Sequence, residues 1–153
     1  MQKVSTPVSN AIQSFRDLDT WKIAMDLTML IYEIVTCLPS SEQFVLSAQM
    51  RRAVVSVPSN VAEGHSCGED GRYIHHLRIA LGSLGELATH IEIARRRSWL
   101  SAVDLRRTDE QIARTGQVLH GLLRSRRMKR VKKLGTHLAV IAMSLGAMAL
   151  LST

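Results

Sequence analysis

Apolar residues recur at three- and four-residue steps through four long stretches of this chain, separated by short polar breaks, which is the pattern of amphipathic helices. The first stretch runs through Trp21, Ala24, Leu27 or Thr28, Ile31, Ile34 or Val35 and Leu38, a face broad enough for a well-buried bundle helix. Asp17 or Asp19 suits its start, because a carboxylate accepts from free N–H groups and opposes the positive helix end. Pro39 stops it. Ser40 and Gln43 have the spacing of a capping box, and Phe44, Leu46 and Met50 lead into the second stretch. There Met50, Ala53, Val57 and Val61 hold the helical period up to Gly64, which closes the helix, with Pro58 in the middle. Proline has no N–H and crowds the carbonyl four residues back, here that of Val54, so a bend or restart is expected near Val57.

The run HSCGEDG that follows is turn chemistry, with Asp70 suited to start the next helix. The third stretch is the cleanest: Tyr73, Leu77, Ala80, Leu84, Leu87, Ile91 and Ala94 alternate four- and three-residue steps, a heptad seam that predicts left-handed packing on its neighbours. Gly82, Ser83 and Gly85 interrupt it. Each mid-helix glycine costs roughly 1 kcal/mol relative to alanine, so a close approach of another backbone is expected there. Arg95, Arg96 and Arg97 give this helix a basic end, and Ser101 is placed to cap a fourth, whose thinner stripe runs through Leu105, Thr108, Ile112, Thr115, Leu119 and Leu122. Four such helices with short connections form, most economically, an all-α, antiparallel up-down-up-down four-helix bundle. It spans 15–124, after a flexible arm at 1–14 and before a basic linker and apolar segment at 125–153, which is expected as a basic, apolar C-terminal helical extension.

The composition narrows the function. Aromatic residues make up 4% of the 153 residues, too few for most β-sandwiches or base-stacking platforms. The net charge of +7 hides an asymmetry: Met1 to Ala94 carries 7 Lys/Arg against 10 Asp/Glu, and Arg95 to Thr153 carries 13 against 3. A basic block of this kind is a footprint for polyanions, either nucleic acid or an anionic lipid surface. Cys37 and Cys67 have no C-x-x-C spacing, and the N-terminus lacks the order of a signal peptide, so a cytoplasmic location is expected.

The C-terminal end does not fit the bundle. RSRRMKRVKK is followed by 18 residues, 134–151, without a charged side chain if His137 is neutral. That gives roughly 27 Å of helix against a bilayer core of about 30 Å. A membrane anchor with the basic run on its cytoplasmic side, a helix packed in an oligomer, and a dispensable extension all remain open.

Catalytic and cofactor motifs are missing. No nucleotide-binding glycine loop or nucleophile elbow is present, and GEDG lacks the strand such a loop needs. No two histidines stand at i, i+4; His75 and His76 diverge by about 100° on a helix, and His65, Cys67, Glu69 and Asp70 match no metal loop. Cys67 reads as a surface thiol. Glu63 and Glu86 could be imagined as paired carboxylates. A structural polar network of Arg51, Arg52, Asn60, Glu63 and Glu86, satisfying groups that Pro58 leaves without backbone partners, is the simpler role. No catalytic residue, metal ligand or cofactor is expected. The candidate phosphate contacts are Arg95, Arg96, Arg97, Arg106, Arg107, Arg114, Arg124, Arg126 and Arg127, because guanidinium groups suit bidentate phosphate contacts. Backbone contacts without stacking imply weak sequence preference and steep salt dependence.

The order FRDLDTWKIAMDL, LPSSEQF, QMRRAVVSVPSNVAEG and YIHHLRIALGSLGEL resembles the bacterial four-helix-bundle family of proteins encoded in intervening sequences of 23S rRNA genes, which also contains the accessory variability determinant of diversity-generating retroelements. The resemblance covers about Phe15 to Leu122. It implies a small basic bundle that assembles as a ring-like homopentamer. In the retroelement members it further implies binding to nucleic acid and association with a reverse transcriptase. Arg51 and Arg52 match the family's arginine pair, and Asn60, Glu63 and Glu86 its polar positions, as structural or binding residues. Ala88, His90 and everything after about Arg124 depart from the pattern. The expected function is thus a non-enzymatic, nucleic-acid-binding oligomeric adaptor; the alternative is a membrane-tethered or purely structural helical scaffold.

Overall fold

The computed structural model describes residues 12–151, with side chains described as far as residue 138. Most of the arm expected at 1–14 lies outside these residues. Its end is ordered chemistry: Ser14 caps a 3-10 turn, Phe15–Asp17, and Asp17 accepts in return from the N–H groups of Gln13 and Ser14 at 3.0 and 2.8 Å. Four α-helices follow: α1 Asp19–Ile34, α2 Leu46–Ser66, α3 Asp70–Arg96 and α4 Ala102–Leu151. No strand occurs among the described residues.

Consecutive helices pack side by side, and α4 closes the ring against α1. All four pairings are antiparallel. Along α2 and α3, Ser56 meets Ser83, Asn60 meets His76 and Gly64 meets Tyr73, so one chain descends as the other climbs. Arg95 with Asp109 and Asp70 with Arg126 mark the two ends of the α3–α4 pair. Glu33 with Arg107 and Ile23 with Gln111 do the same for α1 against α4, and Thr28 with Val54 joins α1 to α2. This is the up-down-up-down bundle that the hydrophobic period predicts.

The core follows the predicted faces closely. Ala24, Leu27, Ile31, Ile34, Val35 and Leu38 are buried from the first stretch, and all seven seam residues of α3 are buried. On α4 the inner stripe contains Thr108 and Thr115, both fully buried. Their hydroxyls donate to the carbonyls of Asp104 and Gln111 at 2.7 and 2.8 Å, so burial leaves neither without a partner.

Several expectations fail for identifiable reasons. Phe44 is 90% exposed, and α2 begins only at Leu46 after a 3-10 turn, Ser40–Glu42, that has no side-chain cap. Nor does α2 restart at Pro58: it runs unbroken from Leu46 to Ser66 and past Gly64, and the left-handed residue that ends it is Gly68, φ +66°. The close approach expected at Gly82 and Gly85 is absent, since a Cβ on either would touch nothing within 4 Å. Gly64 has that role instead, because a Cβ there would lie 2.5 Å from Cδ2 of Tyr73. The C-terminal helical extension is present, and it is not separate from the bundle: α4 passes through residues 124–125 without a break, so the basic run continues the fourth helix. Among the described residues no helix is long and apolar enough to cross a membrane. Most of the apolar segment 134–151 lies beyond the described side chains.

Candidate nucleic-acid interface

The narrow inner stripe of α4 dictates where its arginines go. With Leu105, Thr108, Ile112, Thr115, Leu119 and Leu123 turned to the core, the basic residues between them are left on the flanks and the outer side. Arg106 and Arg124 stand 18 residues apart, five full turns, so they share one line on the outer surface about 27 Å apart. Arg114 lies between them, and Arg127 follows.

The nine candidate arginines separate into two groups. Arg95 Nη2 lies 2.8 Å from both carboxylate oxygens of Asp109, and its Nε lies 3.0 Å from Glu92. Arg96 Nε holds the other Glu92 oxygen at 2.7 Å. Arg107 bridges to Glu33 on α1 at 3.3 Å and to Asp104 at 3.6 Å. Arg126 lies 3.4 Å from Asp70 and rests 4.3 Å from the centre of the Tyr73 ring. These four are already paired within the bundle. The hydrogen bond that Arg95 donates to Asp109 holds its guanidinium above its ordinary pKa, the bond that Arg107 donates to Glu33 does the same for Arg107, and the bond from Arg96 holds Glu92 below the usual carboxylate range.

The other five, Arg97, Arg106, Arg114, Arg124 and Arg127, are exposed and have no carboxylate at ion-pair distance among the described residues. Arg97 lies over the Trp99 ring at 5.1 Å, in a turn where Ser98 has a left-handed backbone, φ 55°. Glu110, one turn from both Arg106 and Arg114, pairs with neither. Lys129, Arg130, Lys132 and Lys133 extend the free cationic surface along the same helix, all exposed. They were not among the candidate contacts, although the sequence places them in the same basic run as Arg126 and Arg127.

The predicted polar network is rearranged. His76 Nδ1, on α3, lies 3.0 Å from Asn60 Oδ1 and 3.4 Å from Glu63 Oε2. Asn60 donates to the carbonyl and hydroxyl of Ser56 at 2.9 and 3.1 Å, and Ser83 donates to the Ser56 hydroxyl at 2.8 Å. Arg51 and Arg52 are not part of it. Along α2 the eight residues from Arg52 to Asn60 rise about 12 Å, too far for a shared hydrogen-bond cluster. Arg51 instead lies 5.9 Å from the Tyr32 ring centre, Arg52 is exposed, and Glu86 is exposed without an ion pair among the described residues. His76 was the missed member; its i, i+16 separation from Asn60 across the α2–α3 turn gave no local signal.

No group of three or more His, Cys, Asp or Glu side chains gathers as a metal-ligand set among the described residues. Cys67 ends α2 as an exposed thiol, and Cys37 is likewise exposed and free.

Fold and surface together define a four-helix bundle whose long last helix presents unpaired cations on its outer side. A family model described as 23S rRNA-intervening sequence protein matches residues 16–121, and the chain belongs to that family. The crystal structure of a protein of unknown function from the S23 ribosomal protein family of Bacteroides thetaiotaomicron VPI-5482 is similar, with a TM-score of 0.64 and 18% identity. The similarity covers 69% of this chain and 95% of that one, and at this identity it supports the fold alone. No curated protein matches the chain.

Proposed function

We propose that this protein is a non-enzymatic, oligomeric adaptor that binds nucleic acid through phosphate contacts, with the outer side of α4 as the binding surface. The observation that carries the reading is the outward set of unpaired guanidinium groups, Arg106, Arg114, Arg124 and Arg127, on one uninterrupted helix. Carboxylates elsewhere in the bundle neutralise Arg95, Arg96, Arg107 and Arg126, so the candidate surface is smaller than the nine arginines read from the sequence. A rigid row of cations fits a polyanion backbone, and neutralising phosphates there releases condensed counterions. Few aromatic side chains stand near the row, so base readout contributes little and sequence preference is weak.

Electrophoretic shifts with a structured RNA and with duplex DNA across a salt series test this. Affinity falling linearly on a logarithmic salt axis is expected; no binding at low salt, or affinity indifferent to salt, removes the reading. Co-purification with a reverse transcriptase encoded nearby tests the protein partner that the family resemblance implies.

A further inference from the structure

The bundle accounts for α4 only in part. Among the described side chains of this helix, Leu123 is the last in the core, and Arg126 is the last to be held by α3, through Asp70 and Tyr73. From Arg127 to Leu138 every side chain is exposed. Within this free stretch Val131, Leu134 and Leu138 are 65%, 53% and 65% exposed. Their three- and four-residue steps put them on one face. Lys129, Lys132, Lys133 and Thr136 fall on the opposite face. On the side toward the α2–α3 turn, Arg130, Lys133, Leu134 and His137 line an open cleft of about 400 Å³ with Gly68, Glu69, Asp70 and Gly71. The bundle thus approaches the emerging helix only at this open cleft, and Val131, Leu134 and Leu138 stay exposed.

We propose that this apolar face is an interface with a second copy of the chain, formed as a coiled coil between emerging α4 helices. A 3.5-residue repeat keeps an apolar seam facing a partner only if the partner is a helix of the same repeat, and another copy supplies one by identity. In the sequence the register continues at Ile141, Leu145 and Met148. From 131 to 151 it covers three heptads, about 31 Å of helix. Charge placement agrees with a like partner. Taking Val131 as position a, Lys132 and Lys133 occupy b and c, and from 131 onward the e and g positions hold no Lys or Arg. Two copies of the segment from 131 onward therefore meet without Lys or Arg facing one another across the seam. The inference is independent of the phosphate-binding reading.

Disulfide trapping in the full chain tests it, using nuclease-treated protein so that bound nucleic acid plays no part. With Cys37 and Cys67 replaced by serine, Leu134→Cys is expected to give an intermolecular disulfide on mild oxidation. Lys132→Cys, on the far face, should give no more than about a tenth as much, because bridging requires Cα atoms within about 7 Å. In sedimentation equilibrium the double variant Leu134→Asp, Leu138→Asp should self-associate at least about tenfold more weakly, with helical circular dichroism unchanged. Equal trapping at both positions, trapping at neither, or unchanged association of the double variant overturns the proposal. So does a monomeric full chain that binds phosphatidylcholine–phosphatidylglycerol vesicles through Leu134 and Leu138, which would make a lipid surface the occupant.

Discussion

The hydroxyl of Thr28 on α1 lies 3.5 Å from the carbonyl of Val54 on α2, the carbonyl that Pro58 deprives of its helical N–H partner. The same hydroxyl lies 2.9 Å from the Ala24 carbonyl, so its proton is directed mainly there and the Val54 contact is the weaker of the two. Both sites are buried, and this weak contact offsets part of the missing backbone bond within the core. The helix α2 continues through Pro58.

This coupling is measurable. Thr28→Val keeps the shape and removes the hydroxyl, and should destabilise the protein by about 1–2 kcal/mol in urea unfolding. In a Pro58→Ala background the Val54 carbonyl regains an N–H, and the same substitution should cost clearly less. Strictly additive effects in the double-mutant cycle would show that Thr28 does not serve this carbonyl.

Glycines provide a second test with opposite signs. Gly64→Ala drives a methyl group into the Tyr73 ring and should cost roughly 1–3 kcal/mol. Gly82→Ala and Gly85→Ala enter open space and should each stabilise the helix by about 0.5–1 kcal/mol. Thermal melts of the three variants decide it, and destabilisation at Gly82 or Gly85 would reveal a surface covered in the assembled protein.

The arginine grouping predicts a separation of effects. Replacing Arg106, Arg114 and Arg124 together by glutamine should weaken RNA binding and reduce the logarithmic salt slope by roughly two to three. Arg107→Gln, which removes a guanidinium already engaged with Glu33 and Asp104, should leave affinity within about twofold. Equal losses in the two proteins would dissolve the distinction between free and paired arginines.

Asp17 gives a pH prediction. Hydrogen bonds from the N–H groups of Ser14 and Gln13 hold its carboxyl below the ordinary value of 3.8. Its folded pKa is depressed, so the contribution of this turn is present above the usual carboxylate range and is lost as pH falls through the folded pKa. A carboxyl-carbon NMR titration should place the Asp17 midpoint below those of freely solvated aspartates, and a midpoint at or above the ordinary value would contradict the capping geometry.

Tyr73 gives the opposite sign. Burial pushes its phenol above the ordinary value of 10.0, and the Arg126 guanidinium over its ring opposes that shift. Its hydroxyl is buried without a hydrogen-bond partner among the described residues. With a raised folded pKa, its contribution is complete below the unfolded value and is lost as pH rises through the folded one. Ultraviolet titration should show one tyrosine ionising late, and two normal midpoints would mean that the ring is not enclosed.

The parts of this architecture legible in the sequence are those set by local periodicity. The α3 seam from Tyr73 to Ala94 was readable residue by residue because one long helix repeats one rule, and Ser101 was readable as a cap because capping is a short-range bond. Long-range pairing was not. Nothing near Arg107 in the chain announces Glu33, 74 residues away, and nothing near Arg126 announces Asp70, 56 residues away. The same limit hid the Asn60–His76–Glu63 cluster and assigned the close approach to Gly82 and Gly85 when the aromatic ring of α3 had selected Gly64. For Pro58 the local rule leaves both a bend and a restart open. Helix α2 runs through it without a restart, with the Thr28 hydroxyl, from another helix, beside the carbonyl that the proline leaves without its N–H.

Because α4 is one rod, its cationic row and its free apolar face are locked in rotational phase. Each residue inserted between them turns one against the other by about 100° and lengthens the rod by about 1.5 Å. An insertion of one alanine after Arg127 would swing the tail by more than a quarter turn, and seven alanines would bring it back nearly to its original heading. The spacing of residues along this helix therefore sets the direction in which the bundles point when their tails are gathered, much as the thread pitch of a bolt sets where its head comes to rest.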